Sequence, residues 1–471
     1  MKRSDNISMT GTMMMLEGLI LLVPLILIPV YPQEAGCSYL FAGPGLLSVS
    51  AGFIVCRFHR QENTLRSSRI VTFAWLYGFI LAAIPFYLYG NVTVVQALFE
   101  SVSGFTTTGL SVLDVSALPH CFLFYRSLLQ YVGGLGFVMM MLVFVQGKFS
   151  VNLYQAEGHP DKLMPNIGKT VKVIFFMYGF FLVLGTLLYA ILGMPVFDSL
   201  IHTMCALSTG GFSNRLDSIG YYKSLPIEIV TVLLMLVGMT NFSLLLLLFK
   251  GKIKAFFQAS EVRFLGALML AAVPVMMLFL VQAGVDPATG LRYAFFNAFS
   301  AVSTTGYATS AYASWPETAV GVMVLLMLAG GGLGSTAGGM KLGRVSIVLK
   351  QLWKNVCRKM KPDRTVMLTH YHRGTDHETL TEESCEEAST YVGVYFLIFL
   401  LGTFALTCSA GSSLLQGAFE FASSLGTVGL SIGLTNADTS SASLLIMTAG
   451  MILGRLEIFV IWKALLKREV G

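Results

Sequence analysis

The chain is short of charge. Only 12% of its 471 residues are Asp, Glu, Lys or Arg, against 55% hydrophobic residues and a mean hydropathy of +0.72. A soluble domain carries about 25% charged residues, so a water-facing surface over most of this chain is excluded. The residue patterns of common enzyme classes are missing as well. There is no His-Glu-x-x-His, no Gly-x-Ser-x-Gly, no phosphate-binding loop and no paired carboxylates, which leaves a membrane-embedded enzyme unsupported. The seven cysteines (Cys37, Cys56, Cys121, Cys205, Cys357, Cys385, Cys408) are odd in number, scattered and without a C-x-x-C pair. Their spacing implies neither a disulfide framework nor a metal site. Carboxylates are scarce inside the apolar runs, apart from Glu17 and Glu457.

Continuous apolar runs of about 20 residues recur instead, each long enough to cross a hydrocarbon core. They do not alternate as the strands of a membrane barrel would, and the expected class is an all-α polytopic membrane protein with about 10 spans. The first run, near residues 11–31, follows Lys2 and Arg3, exceeds a secretion signal in length and lacks a small-x-small cleavage pattern. It reads as a retained span. The net charge of +6 resides at span ends, in Arg57–Arg69, Lys148–Lys172, Lys250–Arg263, Lys350–Arg373 and Lys463–Arg468. The other connections carry only Arg126, Arg215, Lys223 and Arg292. By the positive-inside rule the rich set is cytoplasmic, with both termini inside.

A tetrapeptide recurs four times: Thr107-Thr108-Gly109-Leu110, Thr209-Gly210-Gly211-Phe212, Thr304-Thr305-Gly306-Tyr307 and Thr427-Val428-Gly429-Leu430. Nine residues before each glycine stand Glu100, His202, Asn297 and Glu420, each within an apolar segment of about 11 residues, too short to span. Each repeat therefore reads as a long helix, a re-entrant helix, a Thr-x-Gly-apolar segment and a second long helix. The expected long helices are 70–90 and 123–147, 170–193 and 226–249, 262–284 and 317–349, and 391–410 and 442–464. A hairpin, 12–31 and 39–56, precedes them. The implied units are a hairpin (1–69) and pore repeats at 70–169, 170–261, 262–390 and 391–471, the third including a cytoplasmic segment.

One Thr-x-Gly is a common loop tripeptide; four copies at matched places are not. Non-helical backbone survives at membrane depth only where it lines a cavity or is covered by protein. Four such segments around one axis can replace the water shell of a cation with their carbonyls. Gly tolerates the positive φ this needs, Thr adds a hydroxyl at the inner end, and the residue after Gly wedges outward. The C-terminal dipole ends of the re-entrant helices favour a cation. The four tetrapeptides are expected to form a selectivity filter that holds K⁺, with no other cofactor.

This pattern is similar to the K⁺-channel signature T-V-G-Y-G reduced to its first glycine. Together with "FYRSLLQYVGGLGF" (124–137), "GGGLGSTAGGMK" (330–341), "GRLEIF" (454–459) and the extra hairpin, it resembles the TrkH branch of the Trk/Ktr/HKT superfamily over essentially the whole chain. The resemblance implies four hairpins folded into one pseudo-tetrameric pore for potassium uptake in a bacterial plasma membrane. It also implies a homodimer docked on a cytosolic ring of TrkA-type nucleotide-binding (RCK) subunits. Lys250–Arg263 and Lys350–Arg373 are candidate docking surfaces, or simply set topology and touch anionic lipid headgroups. In related plant transporters Ser at the first filter glycine goes with Na⁺ preference. Glycine at 109, 211, 306 and 429 points to K⁺, with Rb⁺ also passing.

Six of the ten residues 330–339 are glycine, each costing about 1 kcal/mol relative to Ala in a helix. The alternatives are a stripe of small packing residues and a broken helix whose loop obstructs the cytoplasmic exit. The resemblance implies the gating loop, with Gly330, Gly331, Gly332, Gly334, Ser335, Thr336, Gly338, Gly339 and Lys341 as its residues; Ala337 stands where the family often has Gly. Arg455, mid-span, costs at least about 2.5–3.5 kcal/mol on insertion scales. It reads as a charge beneath the filter, the position at which the family places an Arg, or as half of a pair with Glu457 or Glu420. Glu100 and Glu420 read as funnel charges or as stabilisers at helix starts. His370, His372 and His377 read as a solvated loop rather than a metal site, for want of regular ligand spacing. The scarcity of mid-span carboxylates favours passive permeation over a symporter coupled to H⁺ or Na⁺.

Overall fold

The computed structural model describes residues 9–58, 67–90, 92–136, 167–360, 370–373 and 376–456, with Ile458, Phe459 and Trp462. Among these, six helices are long and apolar enough to cross a membrane, or seven if one bent pair counts as a single span. The expected continuations of two further spans, beyond residues 136 and 456, fall mostly outside the described residues.

The N-terminal hairpin is α1 (Met9–Leu22), prolonged as a 3-10 turn where Pro24 enters, and α2 (Ser38–Phe58). Glycines seven residues apart face each other across it. A Cβ on Gly18 would lie 2.7 Å from the Gly45 carbonyl oxygen, and one on Gly52 would lie 2.6 Å from that of Gly11. In lipid, where apolar burial gives no drive, such close backbone packing is what holds helices together.

The first repeat comprises α3 (Ser67–Tyr89), the short α4 (Val94–Phe105) and α5 (His120–Leu135). The second comprises α6 (Ile167–Ile191), α7 (Val196–Leu207), α8 (Leu225–Met239) and α9 (Phe242–Phe249), followed by the short α10 (Ile253–Gln258). The third holds α11 (Ser260–Gln282), α12 (Pro287–Val302), α13 (Glu317–Ala329) and α14 (Leu342–Lys359). The fourth holds α15 (Glu382–Ala410), α16 (Leu414–Leu425) and α17 (Ser441–Arg455). Capping fixes where the short helices start: Thr93 with Gln96 and Ser413 with Gln416 form capping boxes, and the Asp286 carboxylate accepts from the amides of Ala288 and Thr289.

Packing closes the repeats into a ring. Each second helix lies against its own short helix and against the next repeat's: α5 on α7, α8 on α12, α13 on α16, and α17 back on α4. The break expected in repeat three is present, between α13 and α14. A second break corrects the expected continuous 226–249 span: α8 and α9 are bent by 114° at Thr240-Asn241. The side chain of Asn241 caps α9 by accepting from the Ser243 amide at 2.6 Å.

The membrane-spanning fold is all-helical, as expected, with one small addition outside it. Strands β1 (His370–Arg373) and β2 (Asp376–Thr379) form an antiparallel hairpin that pairs His372 with His377, within the segment read as a solvated loop. The hairpin docks on α11 through the His372 amide, which donates to Ser260 Oγ at 2.9 Å.

A leucine at position 18 should lower the thermal unfolding midpoint in detergent by several degrees, since overpacking costs about 1–3 kcal/mol. Gly43→Leu, on the same hairpin but in open space, should not lower it; intrinsic fluorescence on heating distinguishes the two.

Candidate functional site

The four short helices end alike. In α4 the Thr107 amide donates to the Gly104 carbonyl and the Thr108 amide to the Ser103 carbonyl. Thr209/Gly210, Thr304/Thr305 and Thr427/Val428 make the same pair of bonds to Ala206/Cys205, Ala301/Ser300 and Ser424/Ser423. This is the Schellman ending, which puts the residue after the cap in the left-handed region, usually as glycine. Here that residue is Thr, with φ of +57°, +52°, +55° and +50° at positions 107, 209, 304 and 427. A left-handed conformation costs a residue with a Cβ roughly 1–2 kcal/mol, and strain of this kind persists where the surroundings impose it. In the sequence, Thr at this place suggests only a hydroxyl ligand and not a strained backbone. Two residues on, Gly109, Gly211, Gly306 and Gly429 also have positive φ, from 73° to 94°.

The glycines are required by space as well as by conformation. A Cβ on Gly109 would run into the carbonyl oxygen of Gly210, one on Gly211 into that of Thr305, one on Gly306 into that of Val428, and one on Gly429 into that of Thr108. The order is repeat one to two, two to three, three to four and four to one, a closed ring in which four carbonyls each lie against the preceding repeat's glycine. Leu110, Phe212, Tyr307 and Leu430 are buried behind it. The Tyr307 hydroxyl donates to the His202 carbonyl at 2.9 Å, which ties repeat three to repeat two.

Glu100, His202, Asn297 and Glu420 are fully buried and reach the segment that follows each glycine. Glu100 accepts from Ser111 Oγ at 3.0 Å and from the Val112 amide at 3.3 Å. His202 Nε2 lies 3.0 Å from Ser213 Oγ. Asn297 donates to Thr309 Oγ1 at 2.9 Å and accepts from the Tyr312 hydroxyl at 2.6 Å. Glu420 accepts from Ser431 Oγ, the Ile432 and Leu434 amides and Thr435 Oγ1. Both glutamates sit in mid-helix and bind protein groups, so neither expected role, funnel charge or helix-start stabiliser, describes them.

Two residues escaped the sequence reading. Arg126, only 2% exposed, pairs with Glu100 at 2.7 Å, and its guanidinium lies 4.0 Å from the Phe212 ring centroid. Gln130 donates to the Gly210 carbonyl at 2.6 Å and accepts from the Phe212 amide at 3.0 Å. Both interrupt the apolar run "FYRSLLQYVGGLGF", and a lone Arg and Gln four residues apart in such a run were the available signal.

On the threonine side of the ring lies the loop 330–341. The Gly338 amide donates to Thr304 Oγ1 at 2.7 Å, Thr336 Oγ1 lies 3.1 Å from Thr209 Oγ1, and a Cβ on Gly338 would meet Thr427 Oγ1. The hydroxyls of Thr107 and Thr427 are buried without a hydrogen-bond partner. The two helix breaks satisfy each other. The carbonyl of Gly238 accepts from the Thr336 amide and hydroxyl, and that of Met239 accepts from the Gly332 amide. Asn241 donates to the Leu333 carbonyl at 2.6 Å, and the Phe242 amide donates to that of Gly334. Thr336 Oγ1 also donates to the Leu207 carbonyl at 3.0 Å, and bonds within the loop include Gly331 amide to Gly338 carbonyl, Ser335 Oγ to Gly332 carbonyl and Lys341 Nζ to Ala337 carbonyl. A Cβ on Gly339 would strike Gly330 Cα at 2.5 Å.

Arg455 donates to the Thr336 carbonyl at 2.9 Å and to the carbonyls of Gly133 and Gly134 at the end of α5. The alternative pairing with Glu420 is not made, because that carboxylate is held by Ser431, Thr435 and two backbone amides; Glu457 lies outside the described residues. The guanidinium instead caps a helix C-terminus, where a positive charge is favoured.

Residues 82–467 match the sequence profile of TrkH, a cation transport protein family. The chain belongs to the TrkH family. It is 29% identical to the Trk system potassium uptake protein TrkG of Escherichia coli (strain K12), covering 96% of this chain and 95% of that one. It is likewise 29% identical to the Trk system potassium uptake protein TrkH of Salmonella typhimurium, covering 96% and 94%. The crystal structure of the potassium transporter TrkH from Vibrio parahaemolyticus superposes with a TM-score of 0.85 at 25% identity, over 99% of both chains. This TrkH-family chain is a multi-pass membrane transporter and not an enzyme.

Arg126→Met strands a buried carboxylate and should destabilise the protein by about 3–5 kcal/mol. In the double variant with Glu100→Leu much of that loss should return, readable as a partly restored unfolding midpoint in detergent.

Proposed function

We propose that this chain is a potassium uptake protein whose pathway runs through the ring of Thr-x-Gly segments. The observation that carries the reading is the closed circuit of glycine-to-carbonyl contacts through all four repeats. Rings of backbone carbonyls substitute for a cation's hydration shell. The ligands are the backbone of Thr107–Leu110, Thr209–Phe212, Thr304–Tyr307 and Thr427–Leu430, with the unpaired hydroxyls of Thr107 and Thr427 at the inner end. Potassium is the cargo, and relatives named for potassium uptake across nearly their whole length support that assignment.

The loop 330–341 is the gate, supported by its contact with three of the four filter threonines. Arg455 holds it shut from below, tied to Thr336 on one side and to α5 on the other, and adds a positive charge that repels a cation leaving the filter. Regulation comes from a TrkA-type nucleotide-binding subunit on the cytosolic side, the functional unit is a homodimer, and both termini face the cytosol of a bacterial cell. Permeation is passive. Glu17, a buried carboxylate without a hydrogen-bond partner, lies in α1 of the N-terminal hairpin and not in any of the four ring segments, which supports this reading over a coupled symporter.

In liposomes loaded with K⁺, Rb⁺ uptake should follow an imposed potential, be blocked by external K⁺ far better than by Na⁺, and ignore a pH step. A requirement for a proton or Na⁺ gradient would replace the reading by the symporter. Arg455→Ala and a deletion of 332–338 should each raise Rb⁺ flux several-fold; a folded variant with unchanged flux would remove the gate from the account.

A further inference from the structure

The ion pathway leaves one constellation unexplained. A 3-10 turn, Pro32–Cys37, joins α1 to α2, and it is pressed on the first turn of α5. The Glu34 carboxylate accepts from the backbone amides of His120 at 2.9 Å and Cys121 at 3.0 Å, and lies 2.8 Å from His120 Nδ1. The Tyr31 ring stacks on His120, with centroids 4.0 Å apart and planes 7° from parallel. Cys37 closes this turn, three residues after Glu34. Side chains three residues apart eclipse in a 3-10 turn, so the free thiol of Cys37 stands on the face of the turn from which Glu34 reaches the Cys121 amide. Cys37 is partly exposed and Cys121 is buried. The Glu34 oxygens are already committed to two amides and the imidazole, so the cluster is a clamp around a thiol pair.

We propose that Cys37 and Cys121 are oxidised to a disulfide that staples the N-terminal hairpin to the first pore repeat. The proposal rests on the orientation given above, which places the connection between α1 and α2, like the start of α5, on the outer face. That face is the compartment where disulfides persist. Oxidation proceeds by thiol–disulfide exchange with a disulfide-bearing carrier protein. The accessible Cys37, as thiolate, attacks one carrier sulfur and expels the other as a thiolate. Cys121, after losing its proton, attacks the Cys37 sulfur of the mixed disulfide and expels the second carrier thiolate. The two thiols give up two protons and two electrons, and the carrier leaves as its dithiol. The hairpin belongs to none of the four repeats, and the bond would join it covalently to the helix that carries Arg126 and Gln130.

The test is a thiol count on the full-length protein in the inner membrane of a bacterium. Free thiols are trapped with N-ethylmaleimide at lysis in SDS, and the remainder are counted with a maleimide–polyethylene glycol after reduction. Of the seven cysteines, two should be protected before reduction and map to positions 37 and 121, and Cys37→Ser should leave none protected. Seven trapped thiols in the wild type would overturn the disulfide. Orientation is read separately. In the double variant Cys121→Ser/Cys408→Ser, a membrane-impermeant maleimide should label Cys37 on intact spheroplasts. Labelling only after permeabilisation would overturn the orientation on which the proposal rests.

Discussion

Four carbonyl oxygens occupy the places where four side chains would begin. The ring admits no Cβ at Gly109, Gly211, Gly306 or Gly429, and most of the architecture serves to bring those positions together. A backbone segment that is neither helix nor strand cannot sit alone in hydrocarbon, so each is delivered by a short helix that stops at membrane depth. The stopping device is a Schellman ending with threonine in the left-handed position. The strain is tolerable because Ser103, Ser300 and Ser423 tie their own Thr-x-Gly segments from behind, for instance Ser300 Oγ to the Tyr307 carbonyl at 2.6 Å. Packing each second helix on the next short helix then turns four strained hairpins into a ring that no repeat could form alone.

Polar side chains in this protein do structural work at the depth where they are most expensive. The same task, anchoring the chain after each ring glycine, falls to a glutamate paired with an arginine, a histidine, an asparagine and a glutamate bonded to two amides and two hydroxyls. Breaking one partner of such a set leaves a buried polar group without compensation, so substitution there is costly even though none of these residues lies in the carbonyl ring itself. Around the ring the symmetry is geometric rather than chemical. Asp198 with Arg215 and Glu228 with Arg292 add ion pairs peculiar to repeat two and its junction with repeat three.

Much of this was legible in the residues. The four tetrapeptides, the short helices before them and the glycine-dense break in repeat three follow from periodicity, length and helix propensity. The missed features depend on contacts that no local pattern encodes. The break at Thr240-Asn241 lies in a run as apolar as any span; what permits it is that Gly238 and Met239 find donors in a loop almost a hundred residues away. Glu100 and Glu420 read as charges at helix starts, although each stands midway along its twelve-residue helix and its partners lie beyond the glycine that follows. Arg126 resembles a loop charge in the sequence, although it is buried against Glu100. Cys37 and Cys121 are 84 residues apart in the chain, and spacing could not pair them.

If the four segments share one cation between them, diffraction at the rubidium absorption edge from crystals of this protein grown in Rb⁺ will locate it. Anomalous density is expected on the ring axis, shared by the carbonyl oxygens of Thr108, Gly210, Thr305 and Val428. Rubidium bound at another site with an empty axis would contradict it.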